Sequence, residues 1–109
     1  MDYHTLPASK PGQPPVRVEK RTLDNKFFQI DLTPILASKE GVYGTANIVA
    51  PPGNIVVESA VARQQKFLLI KLSGGPTNIP YEDVQLQFQV NTTSGNLISV
   101  PVLVRAYST

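Results

Sequence analysis

Cysteine and tryptophan are both missing from this chain, and histidine and methionine each occur once. Without cysteine there is no disulfide framework, no thiolate nucleophile and no zinc–thiolate site. That usage fits a reducing compartment during assembly. Without tryptophan, the broad stacking platform that suits a sugar ring is weakened. The single histidine, His4, lies in a proline-rich start, where a solvated imidazole is expected, and no Ser-His-Asp set can be assembled around it. No apolar run approaches the roughly 18–20 residues of a membrane-spanning helix. The opening residues lack the basic-then-apolar layout of a secretion signal, so synthesis without export by that route is expected. Charge is nearly balanced: ten Lys and Arg stand against eight Asp and Glu, a net +2. The pI near 9.0 reflects a small surplus on a small chain. No nucleic-acid module accompanies it, and no nucleic-acid or membrane partner is expected.

What the chain has is turn formers. Ten prolines and seven glycines in 109 residues predict many turns and few helices. The length suits one domain, which can bury roughly 60–70% of the surface of its unfolded chain and fold without staples. The organising stretch is Leu68-Leu69-Ile70-Lys71-Leu72, which stops at Ser73-Gly74-Gly75. It is read together with Val84 to Val90, where Val84, Leu86, Phe88 and Val90 alternate with Gln85, Gln87 and Gln89. Period-two alternation marks a strand with one buried and one wet face. This pair is expected at the centre of a small β-sandwich.

Taken in order, Met1 to Pro15 carries Pro7, Pro11, Pro14 and Pro15 and few aliphatic side chains. It reads as an extended arm, biased to polyproline II, with residues 1–19 set apart from a domain over 20–109. A disordered tail and an arm lying along a neighbouring subunit are both open readings. Val16–Lys20 alternates briefly, as a first strand or as the junction of arm and domain. Arg17, Lys20, Arg21 and Lys26 form a loose basic cluster broken by Glu19 and Asp24. It reads as a solvated strand edge, or alternatively as a contact for an acidic protein surface. Phe28, Ile30 and Leu32 alternate into a strand that Thr33-Pro34 ends. Ile35 to Gly41 is a compact turn and the one place for a helical turn. Val42–Ala50 is a strand with Ala46 and Ile48 inward, and Pro51-Pro52-Gly53-Asn54 is a turn with positive φ at Gly53. Strands follow at Ile55–Val61 and Phe67–Leu72. Asn91–Asn96 is a hairpin turn centred on Gly95. In the last strand Ile98, Val100, Val102 and Val104 share a face, and Pro101 implies an edge or a bulge. Leu103 is apolar on the other face. About seven short strands at this spacing predict an all-β, immunoglobulin-like β-sandwich with an extended N-terminal arm.

A search for chemistry yields no catalytic set. Ser73-Gly74-Gly75-Pro76 lacks the Lys and the strand–loop–helix setting of a phosphate loop. Glu82 and Asp83 are adjacent, so in a strand they point to opposite faces and cannot act as a pair. Asn78, Glu82 and Asp83 supply too few oxygens for calcium. No enzymatic activity, metal or cofactor is expected. Tyr43, Tyr81 and Tyr107 suit an interface. Residues without an evident core role are candidate partner contacts: Pro7, Pro11, Pro14 and Pro15 of the arm, Gly74, Gly75 and Tyr81 of the loop, and Leu103.

Residues 20–106 also carry an ordered series of pieces. Ile30-Asp31-Leu32-Thr33-Pro34-Ile35-Leu36 is followed by Pro52-Gly53, then Leu72-Ser73-Gly74-Gly75 and Tyr81. Thr92-Thr93-Ser94-Gly95 and a closing strand ending Val104-Arg105 complete it. In this order the chain resembles small tailed-bacteriophage structural proteins of the fibre–tail adaptor or minor virion type. It departs from many of them in lacking tryptophan and in its proline-rich start. The resemblance implies a non-enzymatic virion component, assembled in the host bacterial cytoplasm and present in several symmetric copies. Its partners would be other virion proteins of tail, fibre, neck or capsid. A tail or neck adaptor is the leading reading. A capsid decoration protein is the alternative, and a carbohydrate-binding module for host attachment, motivated by Gln85, Gln87, Gln89 and Asn91, is the third.

Overall fold

A computed structural model describes residues 4–10, 12–36, 40–49 and 53–108, the His4 side chain excepted. Pro11, the helical-turn residues 37–39 and the turn residues Pro51 and Pro52 therefore lie outside the described residues. Among the described residues the chain forms eight strands and one turn of 3-10 helix. The strands are β1 (His4–Pro7), β2 (Val16–Arg21), β3 (Lys26–Asp31), β4 (Val42–Ile48), β5 (Ile55–Arg63), β6 (Phe67–Gly74), β7 (Tyr81–Thr92) and β8 (Leu97–Tyr107). The 3-10 turn at Thr33–Ile35 starts earlier than the Ile35–Gly41 stretch suggests, because Pro34 presets φ inside it.

All eight belong to one mixed sheet in the order β1-β3-β6-β5-β4-β7-β8-β2. Six steps of about 4.8 Å separate β3 from β2 in that order, roughly 29 Å if the sheet were flat. Yet the two strands are consecutive in sequence, and the chain from Arg21 to Lys26 spans at most about 18 Å. The sheet must therefore curl until its ends approach, and it is nearly closed into a barrel. Both ends are parallel additions: β1 lies beside β3 and β2 beside β8. The other pairings are antiparallel. β4 is the hinge of the curl, meeting β5 at Thr45↔Val61 and shifting register against β7 between Tyr43 and Asn47.

The alternation in the sequence becomes the core. Val84, Leu86, Phe88 and Val90 of β7 are buried, with Val100, Val102 and Val104 of β8 in register beside them. Leu68, Ile70 and Leu72 of β6 join them with Phe28 and Ile30 of β3. Each such side chain contributes about 1.5–3 kcal/mol by leaving water. β6 and β7, the organising pair, each have a neighbour on both sides, although they do not pair with each other. The Asn91–Asn96 hairpin forms as expected: Thr92 N–H donates to the Asn96 carbonyl at 2.9 Å, and Gly95 takes φ +89°. Pro101 sits opposite Gln87, one residue before the pairing of β8 with β2 begins at Val102. There β8 has a neighbour on one side only, which is where a residue without an N–H is tolerated.

Two further expectations change in the strands. Ile48 is exposed rather than buried: it pairs with the buried Phe88 and so keeps the parity of Ala46, but it is the last residue of β4, where the cover of the core runs out. The described residues hold eight strands, because the arm contains one: His4–Pro7 pairs with Phe28–Asp31. Ala8 is buried and its N–H donates to the Asp31 carbonyl at 2.8 Å, while Leu6 packs on the core. Residues 4–8 are thus bound to their own domain, and β2 runs across position 19 without a break.

Candidate interaction surface

Register places three rows on the outer face of β7, β8 and β2. Gln85, Leu103 and Arg17 form one; Asp83, Arg105 and Glu19 the next; Tyr81, Tyr107 and Arg21 the last. The alternate residues of the same strands, Val84, Val104 and Val18, face the core. One period-two pattern therefore builds the interior and this surface together.

Arg105 organises the surface. Its Nε donates to Asp83 Oδ1 at 2.7 Å and its Nη2 to Asp83 Oδ2 at 2.9 Å, a bidentate fork. The guanidinium carbon also stands 4.6 Å from the Tyr81 ring centre, within cation–π range. Tyr81 and Tyr107 tilt against each other at 6.3 Å between centroids. The Arg105 hydrogen bonds hold the Asp83 carboxyl below its ordinary value of 3.8, and the same bonds raise the guanidinium further. Glu82 points the other way and accepts from Asn54 Nδ2 at 2.9 Å, so the two adjacent carboxylates stand on opposite faces, as alternation requires.

The candidate contacts divide among three places. Tyr81, half-exposed, and Leu103, partly covered, share the face just described. Pro7 is the exposed last residue of the edge strand β1, and Pro14 and Pro15 precede β2. Gly74 and Gly75 serve the chain's own turn. Gly74 has φ +74°, and a Cβ there would meet the Asn54 carbonyl at 2.8 Å. A Cβ on Gly75 would lie 2.7 Å from Thr22 Oγ1. Further along that loop Thr77 to Pro80 are exposed, as Tyr81 is.

Lys20 is the residue that sequence reasoning misplaced. It is 2% exposed, and its Nζ donates to the carbonyls of Arg21 and Gly74. Burial lowers its pKa from 10.5, with Lys26 acting in the same sense and Asp24 opposing. Beside it Thr22 Oγ1 donates toward the Pro76 carbonyl at 2.6 Å. These bonds fasten the end of β2 to the turn after β6, across the gap left by incomplete closure. Among the described residues, no three metal-ligating side chains gather. No family model, curated protein or solved structure matches this chain.

Proposed function

We propose that this protein is a non-enzymatic structural component of a bacteriophage particle, a tail or neck adaptor that joins fibres or other tail parts by protein–protein contacts. The resemblance of residues 20–106 motivates the class. The single structural observation that supports a docking role is the outer face of β7, β8 and β2, where Tyr81, Tyr107, Leu103 and Arg105 stand together. Tyrosine and arginine are the residue types that interface centres favour. We also propose an immunoglobulin-like arrangement. The runs β3-β6-β5 and β4-β7-β8 follow the B-E-D and C-F-G orders of that fold.

Quantitative mass spectrometry and antibody labelling of purified particles test the reading. Labelling at the tail or neck, at a copy number that fits a small ring, is the expected result. Labelling over the whole head at high copy number would make it a decoration protein instead. The amide row Gln85, Gln87, Gln89 and Asn91 along β7 favours the carbohydrate reading, which a glycan array with specific hits would establish.

A further inference from the structure

The unclosed seam between β2 and the β1–β3 end has its own chemistry. One depression of about 500 Å³ is walled by Leu6, Arg17, Val18, Lys26, Phe27 and Phe28 together with Glu19. A second of about 460 Å³ is walled by Lys20, Arg21, Pro80 and Tyr107, and shares Glu19 and Lys26 with the first. The two form one channel along β2. Its walls carry four cations against one carboxylate. Asp24 acts on Lys20 and Asp83 on Arg17 only from outside it. No described carboxylate forms an ion pair with Arg17, Arg21 or Lys26.

Along the channel β2 is the last strand of the sheet and is laddered on one side, by β8. Its outer edge carries backbone donors and acceptors available to a further strand. A strand added there sets its side chains beside two different rows. One row is Arg17, Glu19 and Arg21, all exposed; the other is Val16, Val18 and Lys20, all buried.

We propose that the seam is the docking site for an extended segment of a partner protein that alternates acidic and apolar residues and adds as a strand along β2. Acidic side chains pair with Arg17 and Arg21, with Lys26 reaching over them. Apolar side chains turn toward Val18, Leu6 and Phe28 in the channel. Backbone pairing supplies affinity and the cations supply direction and selection. Nucleic acid fits less well, because half of the channel wall is apolar. The inference deepens the assembly reading and rests on it only in taking the partner to be a protein.

The test uses the full chain and a short synthetic peptide alternating Glu and Val. Controls are a Lys–Val peptide, the Glu–Val peptide N-methylated at alternate residues, and a single-stranded oligothymidine. The expected result is binding of the Glu–Val peptide with amide shifts centred on Val16–Arg21. Affinity should fall about tenfold with added salt, and about tenfold in Arg21→Glu. Lys26→Glu serves if Arg21→Glu does not fold. N-methylation should cost a further loss of about tenfold, because it removes ladder hydrogen bonds. Equal binding of the N-methylated peptide would reduce the effect to charge attraction and overturn strand addition. Preference for the Lys–Val peptide or for oligothymidine would overturn the partner chemistry, as would shifts confined to β7. Failure here leaves particle labelling unaffected, so the two readings fail separately.

Discussion

Lys20 and Gly74 lie 54 residues apart and meet through one hydrogen bond, from the buried ammonium of one to the carbonyl of the other. The contact joins the last strand of the sheet to a strand that no ladder connects with it. A side chain does there what backbone pairing does elsewhere.

Lys20→Met keeps the length and the apolar stem but removes the donor. The carbonyls of Gly74 and Arg21 then lose their partner. We expect a stability loss of about 1–3 kcal/mol in urea unfolding. Stability unchanged or raised would mean that the ammonium costs more than its bonds return.

Lys20 also makes stability depend on alkaline pH. Its folded pKa lies below the unfolded 10.5 because burial disfavours the charge. Between the folded value and 10.5 the unfolded chain holds more protons, so stability rises with pH across that window. The measurement is the wild-type minus Lys20→Met difference in unfolding free energy from neutral pH to 10.5. It should shift in favour of the wild type as pH increases.

Asp83 provides the acid counterpart. Its carboxyl is held below 3.8 by Arg105. The stabilisation is present above 3.8 and is lost as pH falls through the lower folded value. Carboxyl NMR should place the Asp83 midpoint below 3.8, and Arg105→Gln should move it upward.

Gly74→Ala combines a left-handed φ of +74° with a Cβ 2.8 Å from the Asn54 carbonyl. A loss of about 1–3 kcal/mol is expected, read by chemical unfolding. Gly95→Ala meets no neighbour within 4 Å and carries the φ strain alone, so it should cost less.

Removing residues 1–8 deletes β1 and with it Leu6 and the buried Ala8. The remainder should fold but be less stable by about 1–3 kcal/mol. It should also scatter more light in solution, because β3 becomes a bare edge.

The strands with long alternation were legible in the sequence. Val84–Val90 and Ile98–Val104 announce their inner faces residue by residue, and Gly95 announces its turn. His4–Pro7 does not. It is four residues long, ends in proline and shows no alternation, and its partner β3 lies beyond β2 in the chain. The candidate surface was half legible: Tyr81 and Tyr107 stood out as tyrosines suited to an interface, and Leu103 as an apolar residue on the opposite face of its strand. Their neighbours Asp83, Arg105 and Arg17 required the register of three strands, which no local pattern encodes. Lys20 carried a usable signal. It continues the parity of Val16 and Val18 and so points inward. Its charge, and the cations near it, argued for a solvated edge, and the geometry overrode that argument.

Parallel pairing of β2 with β8 has a consequence for synthesis. β2 leaves the ribosome before β8, so Val16 and Val18 wait for the strand that covers them until β3 to β7 have been made. During that wait a strand-forming segment with Val16 and Val18 on one face is uncovered on both edges. Such exposure favours encounters with other chains and with chaperones. Completion of this sheet therefore waits on β8, and slowing translation just before Leu97 should lengthen the vulnerable period without altering the finished structure.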